Sequence, residues 1–74
     1  MFIFNKKTDT IINTELIKKI KIRYGIYNDR NITAIYCDDN NIAEYKTPER
    51  AREVLRQIFI AMTDGLKAFE LPAD

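Results

Sequence analysis

Apolar positions between Thr47 and Gly65 recur at helical spacing, and the rest of the chain is read around them. Ala51, Val54, Leu55, Ile58, Phe59 and Met62 form one stripe of an amphipathic helix. Thr47 is suited to cap the first free N–H groups, Pro48 to the first helical position, and Glu49 to the positive end of the dipole. The third helical position is Arg50, so a capping box is incomplete. Gly65 is the natural stop, because glycine enters the left-handed region without a Cβ clash. The alternative is a helix that runs on through Gly65 to Leu66 and Phe69, at a cost of about 1 kcal/mol for the interior glycine. Glu49–Arg52 and Glu53–Arg56 are favourable i,i+3 pairs on the far face, and Glu49–Glu53 is a like-charge pair. Ile60 misfits, about 180° from the stripe centre at 100° per residue. Either Leu66 folds back over the last turn in a Schellman motif, or Ile60 meets another chain.

Before the helix the period changes to two. Phe2-Ile3-Phe4 and Thr10-Ile11-Ile12 flank the polar run Asn5–Asp9 as a hairpin without glycine, followed by a turn at Asn13-Thr14-Glu15. From Lys18 onward, Lys19, Lys21 and Arg23 alternate with Ile20, Ile22 and Tyr24. Turns at Asn28–Asn31 and Asp38–Asn41 bound a strand over Ile32–Cys37, and Ile42–Lys46 leads into the helix. Short connections favour antiparallel neighbours. The expected fold class is therefore α+β: an antiparallel β-meander of about five strands, with one C-terminal amphipathic helix packed on one face. Residues 1–74 are read as a single domain. Lys67–Leu71 carries alternating apolar residues, and Pro72 ends regular structure.

At 74 residues the core is close to the lower limit for self-sufficiency, so association is an easy source of buried area. Twelve basic and eleven acidic residues leave no global field to attract nucleic acid or an anionic membrane. One cysteine, Cys37, excludes an intrachain disulfide and fits a reducing compartment. Without histidine, a nitrogen- and sulfur-ligated metal site is not expected, and no cofactor is implied. No apolar run approaches the roughly 20 residues of a membrane span, and the first residues lack the order of a signal peptide, so a cytoplasmic location is expected.

Each cluster with chemical potential also has a plain structural reading. Lys18, Lys19, Lys21 and Arg23 with nearby tyrosines suggest a nucleic-acid surface, yet alternation puts Tyr24 on the face opposite the basic row. A solvated sheet face explains the same residues. Phe2 and Phe4 oppose Ile3, and Ile32, Ala34 and Tyr36 oppose Ile35 and Cys37, so these strands are apolar on both sides. Either twist and the tail Leu66–Leu71 cover the second side, or a partner does. Phe2, Phe4, Tyr36 and Ile60 are the candidate partner-binding residues. Asp38-Asp39 lacks the spacing of a calcium loop and reads as a turn. Cys37 has acidic neighbours that raise its pKa and no histidine to activate it. No phosphate loop, nucleophile motif or placed carboxylate pair is present, so no catalytic residue is assigned and an enzyme is not expected.

The segment Ile42–Leu55, Ile58 and the ending Phe69-Glu70-Leu71-Pro72 resemble short accessory proteins encoded by phages and prophages of low-GC Gram-positive bacteria. Phe4-Asn5-Lys6, Ile11-Ile12-Asn13 and Ile17 to Ile22 extend the resemblance over most of the chain. Abundant Ile, Asn and Lys suit an AT-rich genome. The resemblance transfers no functional residue. It implies a context, since such proteins often bind and block host proteins, CRISPR and other anti-phage defences among them. The expectation is a non-enzymatic protein-binding accessory factor in the host cytoplasm, inhibiting a host defence protein such as a CRISPR nuclease. Marked DNA mimicry is not expected without an acidic excess. The alternatives are nucleic-acid binding through the basic strand and a structural homo-oligomer.

Overall fold

In a computed structural model, which describes residues 1–73, the period-two segments become strands and the period-3.6 segment a helix. Strand β1 (Phe2–Asn5) turns into β2 (Thr10–Asn13), and a 3-10 turn at Thr14–Leu16 follows. Then come β3 (Ile20–Tyr27), β4 (Arg30–Cys37), β5 (Asn40–Tyr45), the helix α1 (Pro48–Thr63) and β6 (Ala68–Glu70). The class is α+β, with an antiparallel β3-β4-β5 meander and α1 packed against it.

The strands do not form one layer. They make two three-stranded sheets, β3-β4-β5 and β2-β1-β6. β6, within the alternating segment Lys67–Leu71, pairs parallel with β1 rather than extending the meander. Parallel pairing needs a long crossover, and the intervening chain with its helix supplies one. Backbone bonds from Phe2 N–H to Lys67 O (2.8 Å) and from Leu71 N–H to Phe4 O (2.9 Å) bracket the added strand. The tail thus completes the first sheet instead of wrapping the open face of the second.

Asp and Asn make the turns. Asp9 (φ 52°), Asn28 (51°), Asp29 (61°) and Asp38 (53°) all enter the left-handed region, where short polar side chains are tolerated best after glycine. Positive φ at both Asn28 and Asp29 marks a two-residue type I′ loop, so β4 starts at Arg30 rather than Ile32. β3 starts at Ile20 rather than Lys18 because the Asp38 carboxylate accepts the N–H groups of Lys18 (3.2 Å) and Lys19 (3.1 Å), holding them in a bend.

The helix ends follow their residues. Thr47 Oγ1 accepts the Arg50 N–H at 3.2 Å, and Pro48 opens the first turn. Gly65 (φ 72°) ends the helix: its N–H donates to Met62 O (3.2 Å), and Leu66 N–H donates to Ala61 O (3.0 Å). That pair of bonds is a Schellman motif, and continuation through Gly65 does not occur. Leu66 and Ile60 both stay about half exposed, so the motif closes the helix without burying Ile60. Glu53 pairs with Arg50 (2.8 Å) rather than Arg56, and Arg52 reaches the Tyr24 hydroxyl (3.3 Å) rather than Glu49.

The core lies between the two sheets and the helix. Ile3, Ile35, Cys37, Val54 and Ile58 are fully buried, joined by Ile42, Tyr45, Ala51 and Leu71. Burying an aliphatic side chain of this size contributes roughly 1.5–3 kcal/mol, as an upper estimate. Asn5 Nδ2 donates to Ile42 O (2.6 Å) and Tyr45 OH to Pro72 O (2.9 Å), pinning one sheet to the other. The buried line of α1 is Ala51, Val54, Ile58 and Ala61. The expected stripe is therefore rotated. Two alanines let the helix settle close to the sheet, Leu55 is half-buried, and Phe59 and Met62 stay outside.

Candidate protein-binding groove

That rotation creates the most distinctive surface feature. Between the exposed flank of α1 and the segment from Thr14 to Ile20 runs a groove of about 680 Å³. Leu55, Phe59 and Met62 form one wall, and Ile17 and Ile20 the other. Phe59 is 67% exposed, and Leu16, beside the groove in sequence, is 79% exposed. The segment opposite the helix is held by short local bonds. Asn13 Oδ1 accepts Glu15 N–H (3.1 Å), Thr14 Oγ1 donates to Met1 O (2.7 Å), and Asp38 holds the backbone of Lys18 and Lys19. The apolar floor is thus presented by a fixed frame, not by a loose loop. Lys18, Lys19 and Arg56 stand on the rim with the carboxylate of Glu15, and that of Asp38 lies behind the two lysines, so the rim carries a small excess of positive charge.

The residues singled out from the sequence lie elsewhere. Phe2 on β1 is 51% exposed and Phe4 half-buried. Tyr36 is half-buried under the Arg23 guanidinium, 4.5 Å from its ring centre. Ile60 is 55% exposed on the helix flank away from the groove. The apolar open side of β4 is largely covered: Ala34 is buried, and Arg23 lies across Tyr36. The basic set is split. Lys21 and Arg23 lie on the open face of β3, whereas Lys18 and Lys19 sit in the bend at the groove rim. Arg23 is also engaged by Asp39 at 3.5 Å. Tyr24 faces the helix side, away from Arg23, as alternation requires. The groove residues Ile17, Ile20, Leu55, Phe59 and Met62 were not singled out as a site. The available signal was Ala61: a line through Ala51, Val54, Ile58 and Ala61 alone centres about 120° from Phe59 at 100° per residue.

A second cavity of about 810 Å³ opens between β5 and the β1–β2 hairpin, with Cys37 on its wall. The thiol is buried, and its pKa is pushed up first by burial and then by the charge of Asp38, which suppresses the nucleophilic thiolate. Among the described residues no three His, Cys, Asp or Glu side chains converge as metal ligands. Among them, too, no helix is long and apolar enough to cross a membrane. No protein family, curated protein or solved structure matches the chain.

Proposed function

We propose that this chain is a non-catalytic binding protein whose groove takes an apolar segment of another protein. The observation that carries the reading is the helix flank of exposed Phe59 and Met62 beside half-buried Leu55, facing Ile17 and Ile20 across the groove. Aromatic and methionine side chains in a hydrophobic centre with a charged rim are the usual makings of a protein contact. The rim, richer in Lys and Arg than in carboxylate, favours a segment with acidic flanks. The resemblance of Ile42–Leu55 to phage and prophage accessory proteins supports a bacterial host protein as that partner, met in the host cytoplasm. An anti-phage defence nuclease, a CRISPR effector included, is the reading to test first.

The experiment is co-purification from host cells with mass spectrometry, then calorimetry of the purified pair. Phe59→Glu should weaken binding at least about tenfold, equivalent to about 1.4 kcal/mol, while Ile60→Glu leaves it unchanged. Binding should also weaken with added salt as the rim is screened. Recovery of nucleic acid with no specific protein, or an affinity indifferent to Phe59→Glu, would overturn the proposal.

A further inference from the structure

β3 is the outer strand of its sheet, and every residue from 23 to 31 is exposed. The two-residue Asn28-Asp29 loop makes Tyr27 and Arg30 a hydrogen-bonded pair. Alternation along the strand then aims the N–H and C=O groups of Arg23, Gly25 and Tyr27 at β4. Those of Ile22, Tyr24 and Ile26 point to the open edge. Among the described residues, no backbone bond to another element occupies that edge. Such an outward row on an eight-residue strand, with Ile26 77% exposed, is a template for another strand.

We infer that β3 pairs antiparallel with β3 of a second copy of this chain, Tyr24 opposite Tyr24, so that two three-stranded sheets become one of six. This pairing is independent of the groove and rests on how well the strand complements itself about that axis. On the helix side Ile22 meets Ile26. On the open side Lys21 meets Tyr27, and Arg23 meets Gly25. A Cβ built at Gly25 has nothing within 4 Å, which leaves space opposite the arginine. Beyond the strand, the same register carries Lys19 toward Asp29. Neighbouring registers are worse. An axis at Arg23 sets two guanidinium groups opposite each other, and an axis at Ile22 sets Lys21 against Arg23, both destabilising across a ladder. An axis at Gly25 stacks two glycines, so no side chains meet at its centre. The favoured axis stands perpendicular to the sheet, so both helices remain on one side of it.

The test uses the whole chain. Sedimentation velocity from low to high micromolar concentration should show a monomer–dimer equilibrium, and Ile26→Lys should shift it at least about tenfold toward monomer with the thermal transition of the monomer unchanged. Register is read by single cysteines under mild oxidation. Directly paired positions on hydrogen-bonded rungs lie about 5.5 Å apart, within disulfide reach. Tyr24→Cys should therefore cross-link with itself faster than Arg23→Cys or Gly25→Cys, while the buried Cys37 stays reduced. Faster linkage at position 23 or 25 would overturn the register. A strict monomer at every concentration, or association indifferent to Ile26→Lys, would overturn the pairing and leave the edge to an unrelated strand.

Discussion

The two ends of the β3–β4 hairpin follow one alternation and meet different surroundings. At the near end Ile22 faces Ile35, and α1 and β5 close over them, so Ile35 is fully buried. At the far end Ile26 faces Asn31 on the same side of the sheet, past the last residue that β5 pairs, and it stands 77% exposed. The β-branched residues are equally suited to a strand in both places. What differs is cover: β5 pairs with β4 only as far as Thr33, and the ribbon beyond it is two strands wide. Burial is thus set by where the short elements stop, not by the apolar pattern of the long ones. The apolar residues left outside are where the protein has surface to offer a partner.

The largest contrast is in the side chains themselves. Ile35→Ala should cost about 2–5 kcal/mol, through lost transfer energy and the cavity left behind. In dilute, monomeric protein Ile26→Ala should stay within about 0.5 kcal/mol of the parent in urea unfolding. Equal losses would mean that the far end is covered after all. A smaller effect concerns the helix that makes the near end buried. Thr47→Ala removes the acceptor of the Arg50 N–H and should cost about 1 kcal/mol, with Thr47→Asp restoring most of it.

The smallest is a pH effect at the near end, from Cys37. Its folded pKa is raised by burial and by Asp38, so the folded state holds the thiol proton more tightly than the unfolded chain. Stability from this source is fully present below the unfolded thiol value of about 8.5 and declines as pH rises from there through the raised folded value. Urea midpoints should therefore fall on the alkaline side, with a shallower fall in Cys37→Ala. Parallel slopes in the two proteins would remove Cys37 as the cause.

Much of this fold was legible in the residues. Thr47-Pro48 and Gly65 mark the helix ends through local chemistry, and Asn28-Asp29 and Asp38-Asp39 mark turns for the same reason. The alternation of β3 correctly separated Tyr24 from Arg23. The larger misses are tertiary. β6 exists because β1 lies beside Ala68–Glu70 after the helix has carried the chain back, and the alternation over Lys67–Leu71 does not tell which strand it joins. The rotation of α1 depends on Ala51 and Ala61 fitting against the sheet, a matter of close approach that hydrophobicity alone does not rank. The groove follows from that rotation, which is why Phe59 read as core rather than as surface. Arg23, which the residues alone leave between a nucleic-acid contact and a solvated sheet face, lies over Tyr36 within its own sheet.

Two adjacent helix residues give the most direct test of the rotated packing on which both the fold and the groove depend. Urea unfolding of Ile58→Ala and Phe59→Ala at low protein concentration should show a loss of about 2–5 kcal/mol for Ile58 and a change within about 0.5 kcal/mol for Phe59. A loss at Phe59 as large as that at Ile58 would contradict the account.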